Sequence, residues 1–317
     1  MVEFQHTLAM DRHNIVWGAD YTQDRFSTDA DSTKPNSFKN DQFSAFIQDE
    51  ITLRDDLWLT LGYRSQWNEV SHSDWAGNMA LVHEVRAGHF LRASVSRAFR
   101  RPYMFESFAF RANGKFTGND DLLNEEMISY ELGYRGQVTE KLEVNVEFFL
   151  NEYKDLIGTQ TIAPTTSHYN SHDLRTYGVE TSLAWHLKEW WLLRASHSFE
   201  YMEDEGSIND KSEGVGRLGI WTMPRHKASL TNRFYLNDDI TLNTQLFWSD
   251  KFRDRSPVPN DVPSYFRLDM HVTWEIWNDQ AEISFGVTNL NDRSHYEGSQ
   301  NLSEVPRIVY GQFQYHF

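Results

Sequence analysis

The chain has 317 residues, no cysteine and a formal net charge of -16. Lack of cysteine excludes a disulfide scaffold, a thiolate metal site and a cysteine nucleophile; an acidic chain with no Lys/Arg cluster is a poor match for nucleic acid. Aromatic residues make up 15% of the chain and 11 residues are tryptophan, too many for a disordered acidic protein. No run of about 18 apolar residues exists to form a transmembrane helix, but a transmembrane strand needs only about 9–11 residues with one apolar face. Met1 to Gln5 carry neither a basic region nor an apolar core. They read as strand from the outset, which leads us to expect a trimmed chain or a fragment.

In chain order, the dominant signal is period-two alternation in segments of about ten to fourteen residues. Leu57, Leu59, Leu61 and Tyr63 share one face. Leu142, Val144, Val146, Phe148 and Leu150 alternate with Glu143, Asn145 and Glu147. Ile240, Leu242, Thr244, Leu246 and Trp248 repeat the pattern. Phe266, Leu268, Met270, Val272, Trp274 and Ile276 alternate with Arg267, Asp269, His271, Thr273 and Glu275. In the last segment Val309, Gly311, Phe313, Tyr315 and Phe317 oppose Gln312, Gln314 and His316.

Connectors alternate between short and long. Short turns are expected at 11–14, 54–56, 86–88, 139–141, 187–189, 237–239 and 278–280. Long polar connectors are expected at 24–40, 69–77, 99–125, 155–173, 202–222, 251–262 and 291–305. Strict alternation describes an up-and-down meander with two unlike ends, the pattern of a transmembrane barrel with tight periplasmic turns. A soluble sandwich mixes its connection lengths. Trp17, Trp58, Trp185, Trp190, Trp191, Trp274 and Trp277 all lie near short turns, as an interfacial girdle requires. About fifteen strands are counted. Single-chain bacterial barrels have even numbers, so the odd count implies one or more strands before Met1.

On these segments the chain resembles the TonB-dependent receptors, over essentially its whole length. Phe46-Ile47-Gln48-Asp49-Glu50-Ile51 leading to Leu59-Thr60-Leu61-Gly62-Tyr63-Arg64 resembles a mid-barrel hairpin of that family. Ser94-Val95-Ser96-Arg97-Ala98-Phe99-Arg100-Arg101-Pro102 resembles its Phe-Arg-Ala-Pro box. Asn119-Asp120-Asp121-Leu122-Leu123-Asn124-Glu125 is similar to its Asn-Pro-Asn-Leu-Lys-Pro-Glu box, with both prolines replaced. Tyr130-Glu131-Leu132-Gly133-Tyr134, Tyr153-Lys154-Asp155-Leu156-Ile157, Tyr177-Gly178-Val179-Glu180, Val287-Thr288-Asn289-Leu290 and the aromatic end at Phe317 also resemble family landmarks.

The resemblance implies an all-β, 22-stranded barrel of which residues 1–317 supply about fifteen strands, with a plug and about seven strands lying upstream. It implies an outer-membrane importer of a scarce nutrient, with a ferric siderophore as first choice. Cobalamin, a copper complex or a saccharide, and a passive porin, are the alternatives. It also implies a TonB–ExbB–ExbD energy-coupling complex acting through the plug, outer-membrane lipid and lipopolysaccharide as surroundings, and a ligand bound by loops and lumen without catalysis. Phe313, Tyr315 and Phe317 resemble the signal read by the barrel-assembly machinery, whose physical sense is strand addition at a sheet edge.

The connector 99–125 is the candidate ligand site. Arg100, Arg101 and Arg111 stand beside Tyr103, Phe105, Phe108 and Phe110, a combination suited to an anionic aromatic chelate. The bland alternative is that the arginines pair with Glu106, Asp120 and Asp121 while the rings pack the loop base. His168 and His172 have the spacing of two ligands on a helix but fall in an expected loop, and no metal or cofactor is assigned to them. The acidic run Glu203-Asp204-Glu205, with Asp210, reads as a solvated loop more readily than as a Ca²⁺ site. Glu131, Glu143, Glu147, Glu180 and Glu275 read as lining of a polar lumen and not as an acid–base pair.

Overall fold

The computed structural model describes residues 1–27, 37–70, 72–108, 116–162, 164–204, 223–253, 261–277, 280–297 and 304–315. The strands are β1 (Val2–Ala9), β2 (His13–Ser27), β3 (Ser37–Arg54), β4 (Leu57–Asn68), β5 (His72–Arg86), β6 (His89–Arg100), β7 (Phe116–Thr117), β8 (Glu125–Thr139), β9 (Leu142–Ile162), β10 (Thr165–Lys188), β11 (Trp191–Asp204), β12 (His226–Tyr235), β13 (Ile240–Ser249), β14 (Phe252–Arg253), β15 (Asp261–Val262), β16 (Tyr265–Ile276), β17 (Ala281–Thr288) and β18 (Ile308–Tyr315). One short helix, α1, spans Met104–Phe108.

Fifteen strands follow one another in a single antiparallel path, β1-β2-β3-β4-β5-β6-β8-β9-β10-β11-β12-β13-β16-β17-β18. This is the expected strand count and the expected meander. Among the described residues β1 pairs with β2 alone and β18 with β17 alone. β7 pairs with β10 off this path, and β14 and β15 form a separate two-stranded ladder.

Cross-strand partners share a face, so the register separates the two surfaces. Leu132, Phe148 and Val179 are neighbours in one row, and Gly133, Glu147 and Glu180 in the next. The first face is apolar and open: Phe43, Ile47, Leu61, Met79, Leu132, Phe148 and Phe285 are all exposed. Buried apolar side chains among the described residues are few, namely Leu122, Leu192, Val262 and Ala281. A sheet that turns its large apolar side chains outward and buries almost none is built for lipid, not water.

Six of the seven expected short turns lie where the sequence puts them; in the seventh, 278 and 279 are outside the described residues. Four carry a register shift beside the turn, at Thr52/Arg54, Glu84/Arg86, Gln137/Thr139 and His186/Lys188. Such bulges increase the right-handed twist that a curved sheet needs. Gly88, at φ 73, supplies the left-handed residue in one of these turns.

Trp17, Trp185, Trp190, Trp274 and Trp277 are exposed at the short-turn end. Trp191 packs on Phe234 with ring centroids 5.6 Å apart, and its Nε1 donates to Asn232 at 3.0 Å. Trp58 departs from the expectation: Leu59 and Leu61 lie on the apolar face, so Trp58 points to the polar one. A second aromatic band, which the sequence reading missed, lies at the long-loop end. There Tyr21 meets Phe43 at 4.8 Å, Phe43 meets Trp67 at 6.0 Å, and Tyr63 stacks on Trp75 at 6.0 Å.

Three expected loops are corrected. Residues 24–27 and 37–40 belong to β2 and β3, residues 72–77 belong to β5, and 155–162 with 165–173 form the top of a tall β9–β10 hairpin closed at Ile162 and Thr165. β9 and β10 have 21 and 24 residues, about twice what a membrane crossing needs. Their upper part therefore stands beyond the membrane, where no face must be apolar, and alternation there has no cause.

Candidate ligand-binding site

The segment from Arg100 to Glu125 is strapped to the tall hairpin. Arg100 closes β6 and Glu125 opens β8, and the register sets them opposite each other. Arg100 Nε and Nη2 donate to the two Glu125 oxygens at 2.6 Å each, a fork-on-fork pair. Its Nη1 and Nη2 also reach Glu106 at 3.0 and 3.2 Å. Glu125 in turn accepts the Ile157 amide of β9 at 2.8 Å. The two boxes that carry the family resemblance thus meet in one ion pair that holds the loop's ends together and ties them to the hairpin.

Asn119 and Asn170 complete the strap. Asn119 Nδ2 donates to the His168 carbonyl at 3.1 Å. Asn170 accepts the Leu123 amide at 2.8 Å and donates to the Leu123 and Asp155 carbonyls at 3.1 and 2.5 Å. β7 adds a parallel rung to β10 at Thr166 and Ser167. In α1, the Tyr103 amide donates to Glu106 Oε2 at 2.7 Å, which caps the first turn. Gly118 lies so close to α1 that a Cβ there would sit 2.4 Å from the Ser107 backbone. His168 is 9% exposed and wedged edge-on against Phe105 and Phe116, at 6.1 and 5.2 Å. Burial lowers its pKa below the ordinary 6.5, against an opposing pull from Glu106.

The candidate side chains therefore divide. Arg100 spends its donors on Glu125 and Glu106 and lies under Tyr103, 4.9 Å from the ring centre. Phe108 packs on Phe38 of β3 at 5.0 Å. Tyr103 and Phe105 stay 66% and 58% exposed at the top. Phe110 and Arg111 lie outside the described residues, as do Glu205, Asp210, Phe317 and the side chains of His172 and Asp204.

Arg101 is different. It reaches from the end of β6 across two strands to β3, where Nη1 donates to Gln42 Oε1 at 2.8 Å. Its Nε and Nη2 are buried with no hydrogen-bond partner among the described residues. Burial lowers its pKa, with Asp74 opposing and Arg64 reinforcing. Nearby on the polar face, Arg64 Nη2 pairs with Asp20 at 2.7 Å and donates to Ser44 at 2.6 Å. The mouth of the polar face so presents one guanidinium with two uncommitted donors and another held by a single carboxylate. Sequence reasoning missed Gln42, Asp20 and Arg64 because only the register places them beside residue 101.

Three of the five carboxylates expected in the lumen serve as ion-pair partners. Arg92 binds Glu131 at 2.6 Å and Glu147 at 3.4 Å, and Arg135 binds Glu143 at 2.8 Å. Glu180 faces Glu147 directly in the register. At the other end, Phe313 and Tyr315 are exposed on the apolar face of β18, each 6.4 Å from Trp277. The buried Asn289, at φ 52, donates to the Arg293 and Val305 carbonyls at 3.2 and 3.0 Å. That organises the loop before β18.

A family model described as TonB dependent receptor-like, beta-barrel matches residues 2–290. The chain belongs to that family. Among relatives, a probable TonB-dependent siderophore receptor, PirA, of Acinetobacter baumannii is 22% identical over 96% of this chain and 48% of its own length. A ferric-pyoverdine receptor of Pseudomonas putida is 25% identical over 92% of this chain and 37% of its own. The chain thus spans about half or less of the curated relatives it matches. The crystal structure of PirA from Acinetobacter baumannii superposes with a TM-score of 0.79 at 19% identity, over 99% of this chain and 54% of that one. A ferric enterobactin receptor variant from Pseudomonas aeruginosa, in complex with enterobactin, gives 0.79 at 18% identity, over 98% and 53%. The fold of this TonB-dependent receptor segment is therefore that of a receptor β-barrel wall, with the fifteen strands of the meander as consecutive staves.

Proposed function

We propose that this chain forms ligand-binding wall of an outer-membrane importer that takes up a ferric siderophore with energy from the TonB–ExbB–ExbD complex. Family membership and the names of the relatives support the siderophore class. The observation that carries the ligand chemistry is Arg101: a half-buried cation at the luminal mouth with two donor nitrogens that no group among the described residues satisfies. A guanidinium in that state gains from an anionic oxygen-rich chelate. Exposed Tyr103 and Phe105, in the same segment, offer flat apolar surface. The wall supplies binding and passage, not bond-making, and folds into the membrane through the barrel-assembly machinery.

The test is equilibrium binding of ferric siderophores to the protein isolated in detergent, read by quenching of its tryptophans. A ferric tris-catecholate, strongly anionic, is compared with a neutral ferric trihydroxamate. The expected result is preference for the anionic complex, weakened about 10- to 100-fold by Arg101→Ala, the range for one charge-assisted contact. Absence of binding by any ferric siderophore, together with large steady conductance in a planar bilayer, overturns the importer reading.

A further inference from the structure

On the apolar face, midway along β11 and at the long-loop end of β12, two imidazoles meet head to head. His197 Nε2 and His226 Nδ1 are 3.1 Å apart, with ring centroids 5.3 Å apart and planes 25° from parallel. The register explains how they meet. His197 opposes Ala228 and His226 opposes Phe199, so the two histidines are diagonal neighbours on one face. Alanine at 228 leaves the space into which both rings lean.

We propose that this pair is a two-imidazole site for a divalent first-row metal ion of the zinc or copper class. A tetrahedral ion with nitrogens at about 2.0–2.1 Å holds them about 3.3 Å apart, within about 0.3 Å of the separation in place. A single hydrogen now bridges the two nitrogens, on the line where a metal would enter. Metal binding requires the tautomer of His197 that carries its hydrogen on Nδ1 and that of His226 that carries it on Nε2. Small rotations about each side chain then aim both lone pairs at one point.

The surroundings fit an ion at the membrane rim. His226 is the first residue of β12, whose ten residues match one crossing, so the pair lies at the level of the outer aromatic band. Phe199 and Trp248 lie 4.9 and 6.3 Å from the His226 ring and brace it. Among the described residues no group of three or more metal-ligating side chains gathers anywhere, so solvent completes the coordination. Copper is preferred over zinc and nickel at such a nitrogen site.

The experiment uses the protein without an affinity tag, in detergent, titrated with Cu²⁺ and followed by electron paramagnetic resonance. The expected result is one Cu²⁺ equivalent with two equatorial nitrogens, absent from both His197→Gln and His226→Gln and from their combination. Loss of the same single equivalent in all three variants separates this site from the other eleven histidines of the thirteen in the chain. Heat-modifiable mobility in gels establishes that each variant is folded. A second readout is the rise in unfolding temperature with Zn²⁺ in the unsubstituted protein, at least halved in either variant. An unchanged copper stoichiometry and two-nitrogen signal in His226→Gln, or no zinc-dependent rise in the unsubstituted protein, overturns the proposal.

Discussion

Replacing Glu125 by Gln should release the strap between the 100–124 segment and the tall hairpin while leaving the barrel wall intact. Glu125 accepts Arg100 twice at 2.6 Å and the Ile157 amide at 2.8 Å. Its side chain is 15% exposed and that of Arg100 32%. Glutamine keeps the shape but loses the charge and turns an NH₂ group toward the guanidinium. Each charge-assisted bond contributes about 1.5–3 kcal/mol when well shielded. Partial exposure and the remaining Glu106 contacts discount the sum to about 2–3 kcal/mol. That is about 30- to 160-fold faster amide exchange wherever exchange proceeds by local opening of the strap. Hydrogen exchange read by mass spectrometry should show the change in peptides covering 116–125 and 154–158, with the β4–β5 hairpin unchanged as internal control. Equal exchange in the variant and the unsubstituted protein would refute the view that the two sequence boxes serve to anchor this segment.

Acidification should loosen the same region through His168. Its folded pKa is depressed by burial, so the open form binds the proton more tightly and closure is lost as pH falls below about 6.5; His168→Phe should flatten the pH dependence of protease cleavage in this segment. Gly118→Ala should displace α1, because the new Cβ would meet the Ser107 backbone at 2.4 Å. A cost of about 1–3 kcal/mol is expected, visible as increased exchange at Met104–Phe108. Asn289→Ala leaves the Arg293 and Val305 carbonyls without their donor and keeps a left-handed φ of 52. It should lower the heat-modification midpoint in gels, at a cost of about 2–3 kcal/mol.

The barrel wall was legible because lipid imposes a rule on every crossing: one apolar face, period two, tight turns at one end. Where that rule stops, reading failed. The top of β9 and β10 stands outside the membrane, so Thr159 to Ile162 and Thr165 to Thr166 lack alternation and read as loop although they are paired strand. Trp58 stands beside a short turn, yet its parity, opposite to that of Leu59, turns it to the polar face. In the candidate site, residue types drew attention to the right segment, but not to their division of labour. Arg100 and Arg101 are adjacent in sequence; the register fixes one in an ion pair at the β6–β8 junction and sends the other two strands away to Gln42. No periodicity encodes that distance across strands.

Nearly every contact between elements joins strands consecutive along the path, and this has an evolutionary consequence. A hairpin inserted or deleted between two long connectors changes the circumference by two staves and leaves every other register as it was. The wall can therefore widen, narrow or exchange one hairpin for a relative's without redesign elsewhere. The backbone crossing that resists such exchange is β7 on β10, which skips β8 and β9. A graft that separates the 100–124 segment from its tall hairpin breaks that rung and the Arg100–Glu125–Ile157 chain together, so recombination should preserve β6 to β10 as one heritable block.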